Sequence, residues 1–314
     1  MSFRSPRPVL PPLAAIVLAV IGCGDITRLA APSSAAAELS ILAKPASRPT
    51  GTGSGVIGSK GDRTRQRVEY HGGALMLAPK NLYLIWYGSW SGSTAPAILT
   101  DLALNIGGSS YLGAITRYPN AFGVAPSSNV SFAGSIADAY SRGTSFTRDD
   151  FGFIVAQAVA TQVLPADPDG VYVVFTSADV AETSGFGTEY CGFHTTTSSG
   201  GVTLKAVFVG HPDRAPAQCK PQTVGPNGDA AADAMANMMV NGLFNTILDP
   251  EFTGWYDKFL LEPADKCAWN FGTTYTTTNG ARANVSLGGR DYLLQQLWVP
   301  GSRGFCTLDA SAAP

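Results

Sequence analysis

Leu82-Tyr83-Leu84-Ile85-Trp86-Tyr87 is a continuous apolar and aromatic run that stops at Gly88. It does not alternate polar with apolar, so it reads as a strand covered on both faces, as in the interior of a parallel sheet. Val171 to Thr176 (VYVVFT) and Leu204 to Val209 (LKAVFV) repeat the signature. Helical periods separate these runs. Ile98, Leu99, Leu102 and Ile106 share one face of a helix over Pro96 to Ile106, with Pro96 near its start. Thr147-Arg148-Asp149-Asp150 opens a second helix, continued by Phe151, Ile154, Val155, Ala158, Val159 and Gln162 and closed by Pro165. A third, rich in Ala and Met, runs from Asp229 to Leu248 and ends at Asp249-Pro250. Tyr111 to Tyr118 is expected to be a further strand, with weaker ones near Tyr275 and from Tyr292 to Trp298. Helices interleaved with buried strands predict an α/β domain, a layered mixed sheet with flanking helices.

The composition suits such a core. Of 314 residues, 45% are hydrophobic and only 14% charged, against about 25% charged in an average soluble protein. The shortage of charge argues against a coiled coil. A net charge of −2 offers no electrostatic basis for nucleic-acid binding.

The N-terminus has an address rather than a fold. Arg4 and Arg7 precede the apolar run Leu13 to Ile21, which is too short for the roughly 20 residues of a membrane span and fits the core of an export signal. Val20-Ile21-Gly22-Cys23 resembles a bacterial lipobox, in which the cysteine is lipidated and becomes the mature N-terminus. Residues 1–22 are therefore expected to be a lipoprotein signal peptide. Residues 23–66 would be a lipid anchor at Cys23 and a tether rich in Ala, Ser, Pro and Gly, with residues 67–314 the folded domain. This implies an exported protein of the cell envelope or extracellular surface, held to a membrane through Cys23. Arg63, Arg65 and Arg67 read as a solvated loop. Gly51-Thr52-Gly53-Ser54-Gly55 matches a hydrolase elbow loosely but lies in the tether, not on a strand-to-helix turn.

Cys191, Cys219, Cys267 and Cys306 remain once Cys23 is set aside. In an oxidising compartment they suggest two disulfides, with three possible connectivities. Cys191 and Cys219 flank the strand at Leu204 to Val209, and Cys267 and Cys306 bracket the C-terminal strands, which favours those two pairs. No C-x-x-C occurs to suggest structural zinc. The three histidines are His71, His194 and His211, none paired at i, i+4 on a helix. His71 reads as a turn residue, and His194, in Cys191-Gly192-Phe193-His194, as a structural or loop residue beside a disulfide.

Tyr70-His71-Gly72-Gly73, Leu84-Ile85-Trp86-Tyr87-Gly88, Cys191-Gly192-Phe193-His194 and Gly289-Arg290-Asp291-Tyr292-Leu293-Leu294 followed by Cys306 resemble, in order and spacing, the plant EXORDIUM or phosphate-induced protein family. The resemblance runs from about Tyr70 to Cys306. It implies an exported protein of the cell wall or surface, without a defined molecular activity.

Bacterial relatives of that family resemble zinc peptidases with His-Glu-x-x-Glu on a helix, which implies a zincin-like arrangement. Their frame is present here as Asp249-Pro250, Trp255-Tyr256-Asp257 and Asp265-Lys266-Cys267-Ala268-Trp269. Counting back from Asp249, however, places Asn241, Gly242 and Asn245 at the His, Glu and Glu positions. Zinc hydrolysis needs typically three protein ligands, a polarised water and a base. A neutral amide is a poor ligand, and glycine cannot be a base. The expectation is a degenerate motif, no metal, no cofactor and no intact catalytic site. The implied partners are the membrane and a wall polysaccharide or peptide. The alternative is a hydrolase with a relocated or altered site, with His194, Asp249, Asp257, Glu262 and Asp265 as its candidate residues.

Overall fold

A computed structural model describes residues 67–301, 304–309 and 311. The three apolar runs are neighbouring strands of one five-stranded sheet. Its strands are β1 (Lys80–Tyr87), β2 (Val130–Asp138), β3 (Gly170–Thr176), β4 (Gly192–Ser199) and β5 (Val202–Val209), in the spatial order β2-β1-β3-β5-β4. All pairings are parallel except the β4–β5 hairpin. The sheet is therefore mixed, and β1 and β3 lie in its parallel interior.

Alternation explains why those runs are apolar throughout. Leu82, Leu84 and Trp86 face one side with Val171, Val173, Phe175 and Val207, against helices α1 (Ala95–Asn105) and α3 (Ala230–Leu248). Tyr83, Ile85 and Tyr87 face the other side with Tyr172, Val174 and Phe208, against α2 (Arg148–Ala160). The start expected at Thr147 is a capping box, with the Thr147 N–H and Oγ both donating to Asp150.

Three local expectations are corrected. Tyr111 to Tyr118 is not a strand but contains a 3₁₀ turn, Leu112–Arg117. Its buried Tyr111, Ala114, Ile115 and Tyr118 recur at helical intervals, and the two tyrosine hydroxyls donate to the carbonyls of Gln295 and Trp298. Tyr292 to Trp298 is not one strand: Arg290–Tyr292 and Leu297–Val299 belong to separate two-stranded pairs. His194 is not in a loop; it lies on β4. The C-terminal layer is a series of short antiparallel pairs, Tyr275–Thr276 with Arg282–Ala283, Val285–Leu287 with Arg290–Tyr292, and Leu297–Val299 with Phe305–Thr307. Beside this layer, Val68–Tyr70 pairs antiparallel with Trp255–Asp257. His71 stacks on Tyr256 with centroids 3.6 Å apart, its Nε2 lying 3.1 Å from the Tyr256 carbonyl oxygen.

The disulfides are Cys191–Cys219 and Cys267–Cys306. The first ties the start of β4 to the short helix Pro216–Cys219, and the second joins the turn before the C-terminal pairs to the last strand.

Candidate functional site

Helix α3 is the centre of the candidate site. Asp229 caps it by accepting the N–H groups of Ala231 and Ala232, both at 3.0 Å. Every residue from Ala231 to Leu248 is buried, because the sheet covers one side of the helix and the C-terminal layer the other. Gly242 lies on the sheet side. A Cβ there would come within 2.4 Å of Val207 Cγ1 on β5, so the helix can approach the sheet this closely only with glycine at that position.

The polar residues of α3 form a seam at intervals of four: Asp233, Asn237, Asn241, Asn245 and then Asp249 just past the end. Such residues follow one ridge of a helix. Most of the seam binds backbone. Asp233 Oδ2 accepts the Asn227 N–H at 2.9 Å, Asn237 Oδ1 that of Gln295 at 2.7 Å and Asn245 Oδ1 that of Ala264 at 2.9 Å. Asp249 Oδ1 accepts the Gly254 N–H at 2.6 Å. Asn241 is the exception, donating from Nδ2 to Asp265 Oδ1 at 3.2 Å. Gln295 adds a bond from Nε2 to the Ala264 carbonyl. The seam holds an irregular, strand-poor segment against a helix by supplying acceptors for its buried backbone N–H groups.

Four of the five candidate residues converge beside this seam. His194 reaches from β4 to Glu262, with Nε2 and Oε1 2.9 Å apart and both side chains buried. Phe252 covers the imidazole, its ring stacked at 4.8 Å. Burial pushes His194 down to about 4, despite the opposing fields of Asp249 and Asp265. Burial, reinforced by the charge of Asp249, holds Glu262 well above the usual carboxylate range. Both shifts favour uncharged forms, so the pair is a neutral hydrogen bond between the imidazole and the carboxyl. Asp249 is also raised, chiefly by burial. Asp257 stands apart: its Oδ2 meets Lys266 Nζ at 2.7 Å in a fully buried ion pair, and its Oδ1 accepts the N–H groups of Phe259 and Leu261.

Chemically, the arrangement presents a His–Glu pair, an Asn–Asp pair and a carboxyl turned toward a loop. His194 Nδ1, Glu262 Oε2, Asn241 Oδ1 and Asn245 Nδ2 are buried without a protein partner. The residues at the His-Glu-x-x-Glu positions do not fit a zinc ion. Asn241 directs its N–H to Asp265, the Asn245 oxygen holds backbone, and Gly242 is pressed on Val207. Among the described residues, no three His, Cys, Asp or Glu side chains are grouped to hold a metal. None of these contacts has a local sequence signal: Ala264 and Gln295 meet α3 partners 19 and 58 residues away, and Glu262 meets His194 on β4 at a separation of 68.

The sequence of the chain is similar to those of known proteins. The family described as "Phosphate-induced protein 1 conserved region" matches residues 68–308. Protein EXORDIUM-like 5 of Arabidopsis thaliana is 28% identical over 283 residues, covering 77% of each chain. Protein EXORDIUM-like 3 of the same plant is 28% identical over 279 residues, 76% of this chain and 82% of the relative. Protein PHOSPHATE-INDUCED 1 of Nicotiana tabacum is 25% identical over 289 residues, 77% of this chain and 88% of the relative. No solved structure matches.

Proposed function

The chain belongs to the phosphate-induced protein 1 family, and on that premise we propose that it is an exported, lipid-anchored, non-catalytic protein of the cell envelope whose folded body binds an extracellular or wall ligand. One observation carries the non-catalytic half of this reading. The α3 positions that would do peptidase chemistry hold structure instead: Asn245 binds the Ala264 backbone, Asn241 binds Asp265, and Gly242 seats the helix on β5. In this proposal α3 is the helix of a zincin-like arrangement that has lost its chemistry. The anchoring half rests on Val20-Ile21-Gly22-Cys23, which lies outside the described residues, as do the whole signal peptide and tether. Cys23→Ala is expected to move the protein from the membrane to the soluble fraction; unchanged partition would remove the anchor. Incubation with a panel of wall polysaccharides and peptides, followed by sedimentation, tests for a ligand.

The convergence of His194, Glu262, Asp249 and Asp265 favours a second reading, a hydrolase with an altered site. Assays of the purified chain on peptide and ester substrates separate the two. Turnover that disappears in both His194→Gln and Glu262→Gln would support the hydrolase.

A further inference from the structure

The order β2-β1-β3-β5-β4 sends the chain in opposite directions from two neighbouring strands. The connection leaving β1 runs through α1 to β2 on one side, and the one leaving β3 runs to β4 and β5 on the other. Ligands of open α/β sheets bind outside the carboxyl ends of the strands, where the connections diverge in this way. Here that point is flanked by the loop 88–94 and the turn 177–180.

These two segments are built to lie together. Gly88 has φ +101, and a Cβ on it would come within 2.0 Å of Ser177 Oγ. The Ser89 N–H donates to Ser177 Oγ at 3.0 Å, and Ser177 donates to Asp179 Oδ1 at 2.6 Å. Trp90 packs edge-on against Trp86, 5.6 Å away, and lies 6.2 Å from His211 at the end of β5. Trp90 is half-buried, and its indole nitrogen is buried, so whatever the ring offers to solvent is carbon. Ser89, Ser91, Ser93 and Asp179 around it are exposed. Asp179 also accepts the Tyr140 hydroxyl at Oδ2, 2.5 Å away, and each of its oxygens keeps a further lone pair for a ligand; at the amino ends of the strands the polar groups are likewise used internally. Lys80 donates to the Ser127 carbonyl, Asn81 and Tyr83 to Asp167, and Lys205 to the Pro168 carbonyl.

We propose that the loops at the carboxyl ends of β1 and β3 bind a neutral oligosaccharide, with Trp90 as the stacking surface and Ser89, Ser91, Asp179 and His211 as the hydrogen-bonding rim. Sugar rings present C–H faces that lie on aromatic carbon and hydroxyls that pair with serine and carboxylate oxygens. Charge argues for a neutral ligand over an anionic one. Asp229 caps α3 and also accepts the Thr94 hydroxyl at 2.7 Å, so a carboxylate already lies where α1 and α3 begin. Asp179 adds a second negative charge. The inference deepens the reading that the body binds an extracellular ligand, and rests on it.

The test is calorimetric titration of the full chain in detergent with hexamers of β-1,4-linked glucose, N-acetylglucosamine and xylose, beside a panel of soluble peptides. The expected result is saturable binding of at least one hexamer. Trp90→Ala should weaken it about five- to tenfold, the scale of one lost aromatic contact, while Trp90→Phe retains most of it. Ser91→Glu, at an exposed position, should obstruct the same loop without entering the core and guards against a Trp90 variant that fails to fold. Phe122→Ala, on a remote exposed loop, should change nothing. Saccharide binding equal in wild type, Trp90→Ala and Ser91→Glu overturns the site. Binding of peptides and of no saccharide overturns the carbohydrate class and leaves the proposed function standing. Binding of neither overturns both.

Discussion

His194 and Glu262 show what a buried titratable pair does to a fold. His194 titrates at about 4 in the folded protein, against an ordinary 6.5. Its favourable contribution is therefore complete above pH 6.5 and is lost as the pH falls through 6.5 toward 4. Glu262 has the opposite sign. Its folded value is raised above the ordinary 4.5, so its contribution is complete below that pH and is lost as the pH rises through it. Glu262→Gln keeps a neutral hydrogen-bonding group facing His194 Nε2 and removes only the second loss. The variant should match the wild type near about pH 4.5 and exceed it by an increasing margin toward about pH 8, measured by urea denaturation. A margin that does not change with pH would mean that Glu262 is ionised in the fold. The sequence made His194 and Glu262 visible as candidates, but not as a pair. Histidine follows glycine and phenylalanine in a run whose burial depends on β5, and the 68 residues between the partners leave no local periodicity.

At the scale of elements, the contact between α3 and β5 is decided by an absent side chain. Gly242→Ala improves helix propensity by about 1 kcal/mol but drives a methyl into Val207, and overpacking costs typically 1–3 kcal/mol. The variant should be less stable, and Val207→Ala in the same chain should recover part of the loss; independent additive losses would show that the two positions do not touch. The same packing blocks any rebuilding of the peptidase motif in place, because a glutamate at 242 has no room against the sheet. On the polar seam of the same helix, Asn245→Leu leaves the buried Ala264 N–H without its acceptor. Destabilisation of about 1–3 kcal/mol is expected, with faster amide exchange at Ala264 than in wild type. Sequence patterns reveal elements that bury a continuous face, and they found β1, β3, β5 and the long helices α1, α2 and α3, though not the short helix Pro216–Cys219. They passed over β2 and β4 because edge strands need no such face: β2 alternates from Ser131 to Asp138 with no fully buried residue, and β4 ends in Thr195-Thr196-Thr197-Ser198-Ser199. Tyr111 to Tyr118 misled because its aromatic residues suit a strand, while their spacing suits the helical turn they form.

In the molecule as a whole, two covalent links reinforce a C-terminal layer with little regular structure. Cys191–Cys219 spans 28 residues and Cys267–Cys306 spans 39. In the chain-entropy model each stabilises by about 3.5–4 kcal/mol. Peptide mapping of the unreduced protein should return these two pairs, and reduction should lower the melting temperature. Mixed pairs or four free thiols would remove this part of the account. The three-residue ladder of Val68–Tyr70 with Trp255–Asp257 has a mechanical consequence. A pull delivered through Arg67 loads that ladder before anything else, and the five-stranded sheet carries none of it at first. The force passes from Trp255 along the chain to Phe252, the ring stacked over His194. Once the ladder parts, the load falls on the bonds of His71, Gly73 and Met76 to the carbonyls of Gly254, Thr253 and Ile247, so under tension the domain is stripped along the segment next to Phe252 while β1 and β3 are still intact.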